Sequence, residues 1–188
     1  MLERLVHSTI EKWFFYIATG IVSLLSVIAI IGWADGLSPS ESLAWLLAYL
    51  GQRSPSWLTD GVAWLQEPGR RTMAIPTCLL AGGLVSAGAL ERGPLREGGA
   101  AILGWALIVP AAEIVGLGTA VVYAGCSFLF VLLLAVACAE FGPEDLWSRR
   151  TVRNAASKNV GYFLHIPLLI PMMGGWLLRA YSNRQEPN

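Results

Sequence analysis

Gly99 to Ala139 reads GAAILGWALIVPAAEIVGLGTAVVYAGCSFLFVLLLAVACA, about 41 residues in which Glu113 is the sole charge. As one straight helix rising 1.5 Å per residue it would reach roughly 60 Å, about twice the hydrocarbon core of a bilayer. A single crossing cannot hold it. Near its middle lies Gly116-Leu117-Gly118-Thr119, where glycine can take the left-handed conformation that ends a helix. The sequence therefore predicts a tight helical hairpin with arms at about 99–116 and 119–139.

Outward from that hairpin, three more apolar stretches have the length to cross. The first, about 13–33, runs from Trp13 to Trp33, with an aromatic at each end where amphipathic rings settle at a membrane interface. A signal peptide is the competing reading, with Gly32 and Ala34 imitating a cleavage site, but the apolar run exceeds the roughly 7–15 residues of a signal core. The second, about 72–90, follows Arg70 and Arg71 and precedes Glu91 and Arg92; Pro76 lies near its start. The last, about 159–178, is followed by Arg179.

Composition agrees. Of 188 residues, 55% are hydrophobic and 14% charged, with a formal net charge of zero, against about 25% charged in an ordinary soluble domain. A disordered chain and a nucleic-acid binder working through bulk positive charge are both excluded. The fold class expected is an all-α polytopic membrane protein: one domain over 1–188 with five transmembrane helices and two short interfacial helices on the outer side.

Five crossings put the two termini on opposite sides, and the distribution of Lys and Arg orients them. With the N-terminus inside, the inner segments hold Arg4, Lys12, Arg92, Arg96, Arg149, Arg150, Arg153 and Lys158, and the outer ones hold Arg53, Arg70, Arg71, Arg179 and Arg184. The larger inner set favours N-in. Arg far outnumbers Lys, and Gly and Ala are abundant, a composition that fits a GC-rich bacterial genome and hence a bacterial inner membrane.

Between the first two spans, residues 34–71 carry two helix-start signals. Ser38-Pro39-Ser40-Glu41 offers an N-cap serine, proline at the first helical position and a glutamate that can close a capping box. Ser54-Pro55-Ser56 repeats the opening without the glutamate. Helices are expected at about 39–50 and 55–66, each too short to span. Trp45, Tyr49, Trp57 and Trp64 place the pair in the outer interface, against headgroups or a neighbouring subunit. On the inner side, Pro143-Glu144-Asp145 opens a basic arm at about 143–158, where Arg149, Arg150, Arg153 and Lys158 would attract anionic lipid at about 1 kcal/mol per cation; a cytosolic acidic partner is the sharper alternative.

Chemistry is scarce. Glu113 is a candidate ion or proton site because an ionisable group inside a span is by default a functional hypothesis. Its place one turn from the hairpin corner favours capping, or pairing with Arg70 or Arg71. His165 sits beside Pro167 and Pro171, where it could satisfy a carbonyl freed by proline. A second haem ligand is missing, since the other histidine, His7, lies in the leader. Cys78, Cys126 and Cys138 form no Cys-x-x-Cys pair and read as small buried hydrophobes. No zinc, phosphate-loop, hydrolase-elbow or dinucleotide motif occurs, so no catalytic residue, metal or cofactor is expected.

What the spans offer is packing. Gly82, Gly83, Ser86 and Ala87 form overlapping small-xxx-small pairs, and Ala112, Gly116, Ala120 and Ala124 mark close approach around the hairpin. Two roles are expected from this pattern. One is a non-catalytic subunit or scaffold of a larger membrane assembly, touching other subunits or copies of itself. The other is a small homo-oligomeric channel or transporter using Glu113.

Overall fold

The computed structural model describes residues 2–90, 94–141, 154, 161, 163–169 and 171–175 of the chain, all but the short connections of them helical. The helices are α1 (Leu2–Ala34), α2 (Pro39–Tyr49), α3 (Ser56–Gln66), α4 (Pro68–Arg71), α5 (Ala74–Leu90), α6 (Pro94–Val115) and α7 (Leu117–Phe141). A C-terminal helical stretch covers 163–169 and 171–175. The basic arm with Arg149, Arg150 and Arg153, and part of the 159–178 span, lie outside the described residues.

Among the described residues, two helices are long and apolar enough to cross a membrane, over Phe15–Ala34 of α1 and Leu117–Cys138 of α7. The apolar part of α6 (Gly99–Val115) is shorter, and α5 has 17 residues. The apolar run of 99–139 is interrupted within the expected corner: α6 ends at Val115 and α7 starts at Leu117. The residue between them, Gly116, has φ +79°, a conformation that costs an L side chain about 1–2 kcal/mol and glycine almost nothing. Its N–H closes α6 on the Ala112 carbonyl, and its own carbonyl accepts from Ala120 to open α7. One residue thus serves both helix ends.

Helices α5, α6 and α7 form the centre. Their shared core is dominated by alanine, with Ala81, Ala101, Ala112, Ala120 and Ala124 all buried around Trp105 and Ile108. Small side chains let backbones meet, the contact by which helices associate where there is no water to exclude. Gly82 is the closest approach: a Cβ there would overlap the Ala124 carbonyl, which is backbone and cannot give way. One turn on in both helices, Ser86 Oγ donates to the Phe128 carbonyl at 3.0 Å, so α5 and α7 run in the same direction. Ser127 Oγ returns a bond to the Leu79 carbonyl at 2.7 Å.

The N-terminal helix packs against α6 and α7 and ends beside their corner. The Trp33 ring lies 3.4 Å from where a Gly118 Cβ would stand. There α1 stops in a two-bond C-cap, Leu37 N–H to the Gly32 carbonyl at 2.8 Å and Gly36 N–H to the Trp33 carbonyl at 3.1 Å. Gly36 has φ +76°, as the left-handed residue of this motif requires. The turn sends the chain straight into α2.

Candidate functional site around Glu113

The opening of α2 leaves backbone N–H groups with no partner inside the helix. Ser38 is extended, and its hydroxyl accepts from the Glu41 N–H at 3.3 Å. The Glu41 carboxylate reaches back to the Ser38 N–H at 2.8 Å, closing the box. Hydrogen bonding with Ser38, first through its backbone N–H and second through its side chain, holds the Glu41 carboxyl below its ordinary value. Pro39 has no N–H to satisfy, and Ser42 N–H makes the first intrahelical bond to the Ser38 carbonyl at 2.9 Å. That leaves Ser40.

Glu113 supplies its partner from α6, 73 residues away in sequence. The Ser40 N–H donates to Glu113 Oε2 at 2.9 Å and the Ser40 hydroxyl donates to Oε1 at 2.6 Å. Both oxygens of the Glu113 carboxylate are therefore engaged by one residue at the positive end of α2, where the helix dipole also favours a negative charge. A hydrogen bond to a charged group is worth about 1.5–3 kcal/mol, less where water reaches it, and Glu113 is half-buried. Glu113 thus meets the N-terminus of α2, and among the described residues it forms no ion pair with Arg70 or Arg71. Arg70 instead bridges Glu67 at 2.7 Å, donates to the Trp64 carbonyl at 2.9 Å and lies 3.9 Å over the Trp64 ring. It closes the C-terminal end of α3.

A second contact seats the same helix. Ser42 is buried against Gly32 of α1, where any Cβ would overlap the serine side chain. Gly32, Ser40, Ser42, Glu113, Gly116 and Trp33 thus gather at one end of the bundle. The contacts there anchor α2: a carboxylate whose two oxygens both accept from Ser40, and a Ser42 hydroxyl that donates to the Ser38 carbonyl. Among the described residues, no group of three His, Cys, Asp or Glu side chains could hold a metal ion.

The aromatic residues of α2 and α3 face away from the protein: Trp45, Trp57 and Trp64 are 60%, 64% and 55% exposed. Trp45 and Tyr49 stack at 5.9 Å. Helices α2 and α3 are set apart by an open groove of about 370 Å³ lined by Ser40, Glu41, Ala44, Leu58, Thr59 and Val62 among others. Of the small residues in α5, Gly82 and Ser86 are buried at the α7 contact, and a Cβ at Gly83 would stand 3.7 Å from Ser127 Oγ. Ala87 does not join them; it is exposed, at the edge of the arc of about 140° that these four positions span on a helix. Cys78 is buried as expected, whereas Cys126 and Cys138 are exposed on α7.

His165 is exposed, with Nδ1 against the Gly161 carbonyl at 2.6 Å. That carbonyl is not the one a proline frees. Pro167 withholds the N–H that would reach Phe163, four residues earlier, and the Phe163 carbonyl is taken by the indole N–H of Trp105 in α6, at 2.9 Å. The two rings stack at 5.0 Å and 20°. Sequence reasoning passed over Trp105; the signal for it was the proline, which obliges some donor on a neighbouring helix to appear. Close by, an apolar cleft of about 120 Å³ is lined by Gly82, Val85, Ala124, Phe128, Phe163 and Leu164 among others.

Comparison with known protein families, curated proteins and solved structures finds no match to this chain.

Proposed function

We propose that this chain is a non-catalytic integral membrane subunit or scaffold of a larger membrane assembly, crossing the bilayer five times with its N-terminus inside, in a bacterial inner membrane. The observation that carries the reading is the use of Glu113: the carboxylate that a transport mechanism would need is committed to the N-terminus of α2. The alanine-built centre and the exposed tryptophans of α2 and α3 support it. In this arrangement α5, α6 and α7 are the rigid body, and α2 and α3 present aromatic surface to other membrane subunits at the outer interface. The basic arm holds anionic lipid on the inner side.

The test is purification in mild detergent with mass measurement of the intact particle. A complex of defined composition is expected, with Trp57→Ala and Trp64→Ala releasing the partner while the chain stays folded. A lone monomer would remove the reading. Flux through reconstituted vesicles that Glu113→Gln abolishes without loss of assembly would replace it with the channel or transporter.

A further inference from the structure

Pro167 does two things to the helix that contains it: it offers no N–H to the Phe163 carbonyl, and its ring crowds that carbonyl and pushes it aside. A carbonyl left without a donor in an apolar surrounding keeps its desolvation cost uncompensated. Phe163 escapes that cost through Trp105, whose indole N–H meets its oxygen at 2.9 Å. Trp105 is itself 4% exposed, so its own donor also needs a buried acceptor. Each group supplies what the other lacks. The neighbouring Ile166 is buried in the core cluster, and Phe163 and Leu164 form one wall of the apolar cleft over Gly82 and Ala124.

We propose that Trp105 is a positioning residue that supplies, from α6, the hydrogen-bond donor Pro167 withholds, and that this bond fixes where the C-terminal helix sits on the bundle and so sets the cleft wall. The joint has one register. Sliding the C-terminal helix by a residue would bring a carbonyl already bonded within the helix opposite the indole and leave Phe163 unpaired. The inference concerns the chain's own architecture and stands apart from its role in any assembly.

The test is a double-mutant cycle on thermal unfolding of the full chain in detergent. Trp105→Phe keeps a ring against Phe163 and deletes the donor; Pro167→Ala restores a backbone N–H that can reach the Phe163 carbonyl. With roughly 2–4 °C lost per kcal/mol in a chain of this size, Trp105→Phe lowers Tm by about 3–8 °C beside Pro167 and by less than about 2 °C beside Ala. A residue acting through packing alone would cost the same in both backgrounds, and that result overturns the proposal. If Trp105→Phe alone does not fold, recovery by Pro167→Ala supports it and failure to recover refutes it.

Discussion

Helices α2 and α3 begin almost alike, with Ser38-Pro39-Ser40 and Ser54-Pro55-Ser56, and each has 11 residues. Their environments differ at every level. The first has a closed capping box, a carboxylate from α6 on Ser40 and a serine pressed into Gly32 of α1. The second has no side-chain cap and no buried residue. Position four explains part of this: Glu41 closes the box in α2, whereas Trp57, in the matching place after Ser54-Pro55-Ser56, has no oxygen that could accept from a cap backbone N–H. The rest comes from outside the helices, since Glu113 and Gly32 serve α2 alone. Local sequence starts a helix, and tertiary partners decide whether it is fastened.

That contrast can be broken by experiment, and the largest effect is expected at Glu113. Glu113→Ala leaves the Ser40 donors without their acceptor and should cost about 2–3 kcal/mol in thermal unfolding, whereas Asp60→Ala in α3 should change little. Gly32→Ala should cost about 1–3 kcal/mol by driving α1 and α2 apart. The corresponding change in α3, Gly61→Ala, meets open space and should raise stability by about 0.5–1 kcal/mol through helix propensity. Ser38→Ala should cost about 1 kcal/mol against a few tenths at most for Ser54→Ala, a comparison that isolates the capping box.

The smallest effect is a pH dependence confined to α2. The Glu41 carboxyl is held below its ordinary value of 4.5 in the folded chain, so its contribution is complete above that value. It is lost as the pH falls through the lower, folded value. Acidification below about pH 4.5 should loosen the start of α2, measured as faster amide exchange at Ser38. Glu41→Gln should abolish that dependence, and α3 should show no counterpart.

Much of the architecture was readable from sequence because it depends on neighbours along the chain. The Ser38 box needs four consecutive residues, the corner at Gly116 needs a glycine in an apolar run, and the Gly82 contact needs small side chains at helical spacing. The Ser40 bond to Glu113 and the Trp105 bond to Phe163 join residues 73 and 58 positions apart, so sequence could say that a partner was needed but not which. Ala87 shows the converse limit. Composition marked it as a packing residue, and its rotation about α5 placed it on the open side.

The central claim is that the carboxylate inside α6 fastens the start of α2, and amide hydrogen exchange at Ser40 tests it most directly. Slow exchange in the unmodified chain, becoming at least about tenfold faster in Glu113→Ala while the amides of α3 are unchanged, is the predicted result, tenfold being about 1.4 kcal/mol of opening free energy. Exchange at Ser40 that is already fast, or that ignores the loss of Glu113, would contradict the account.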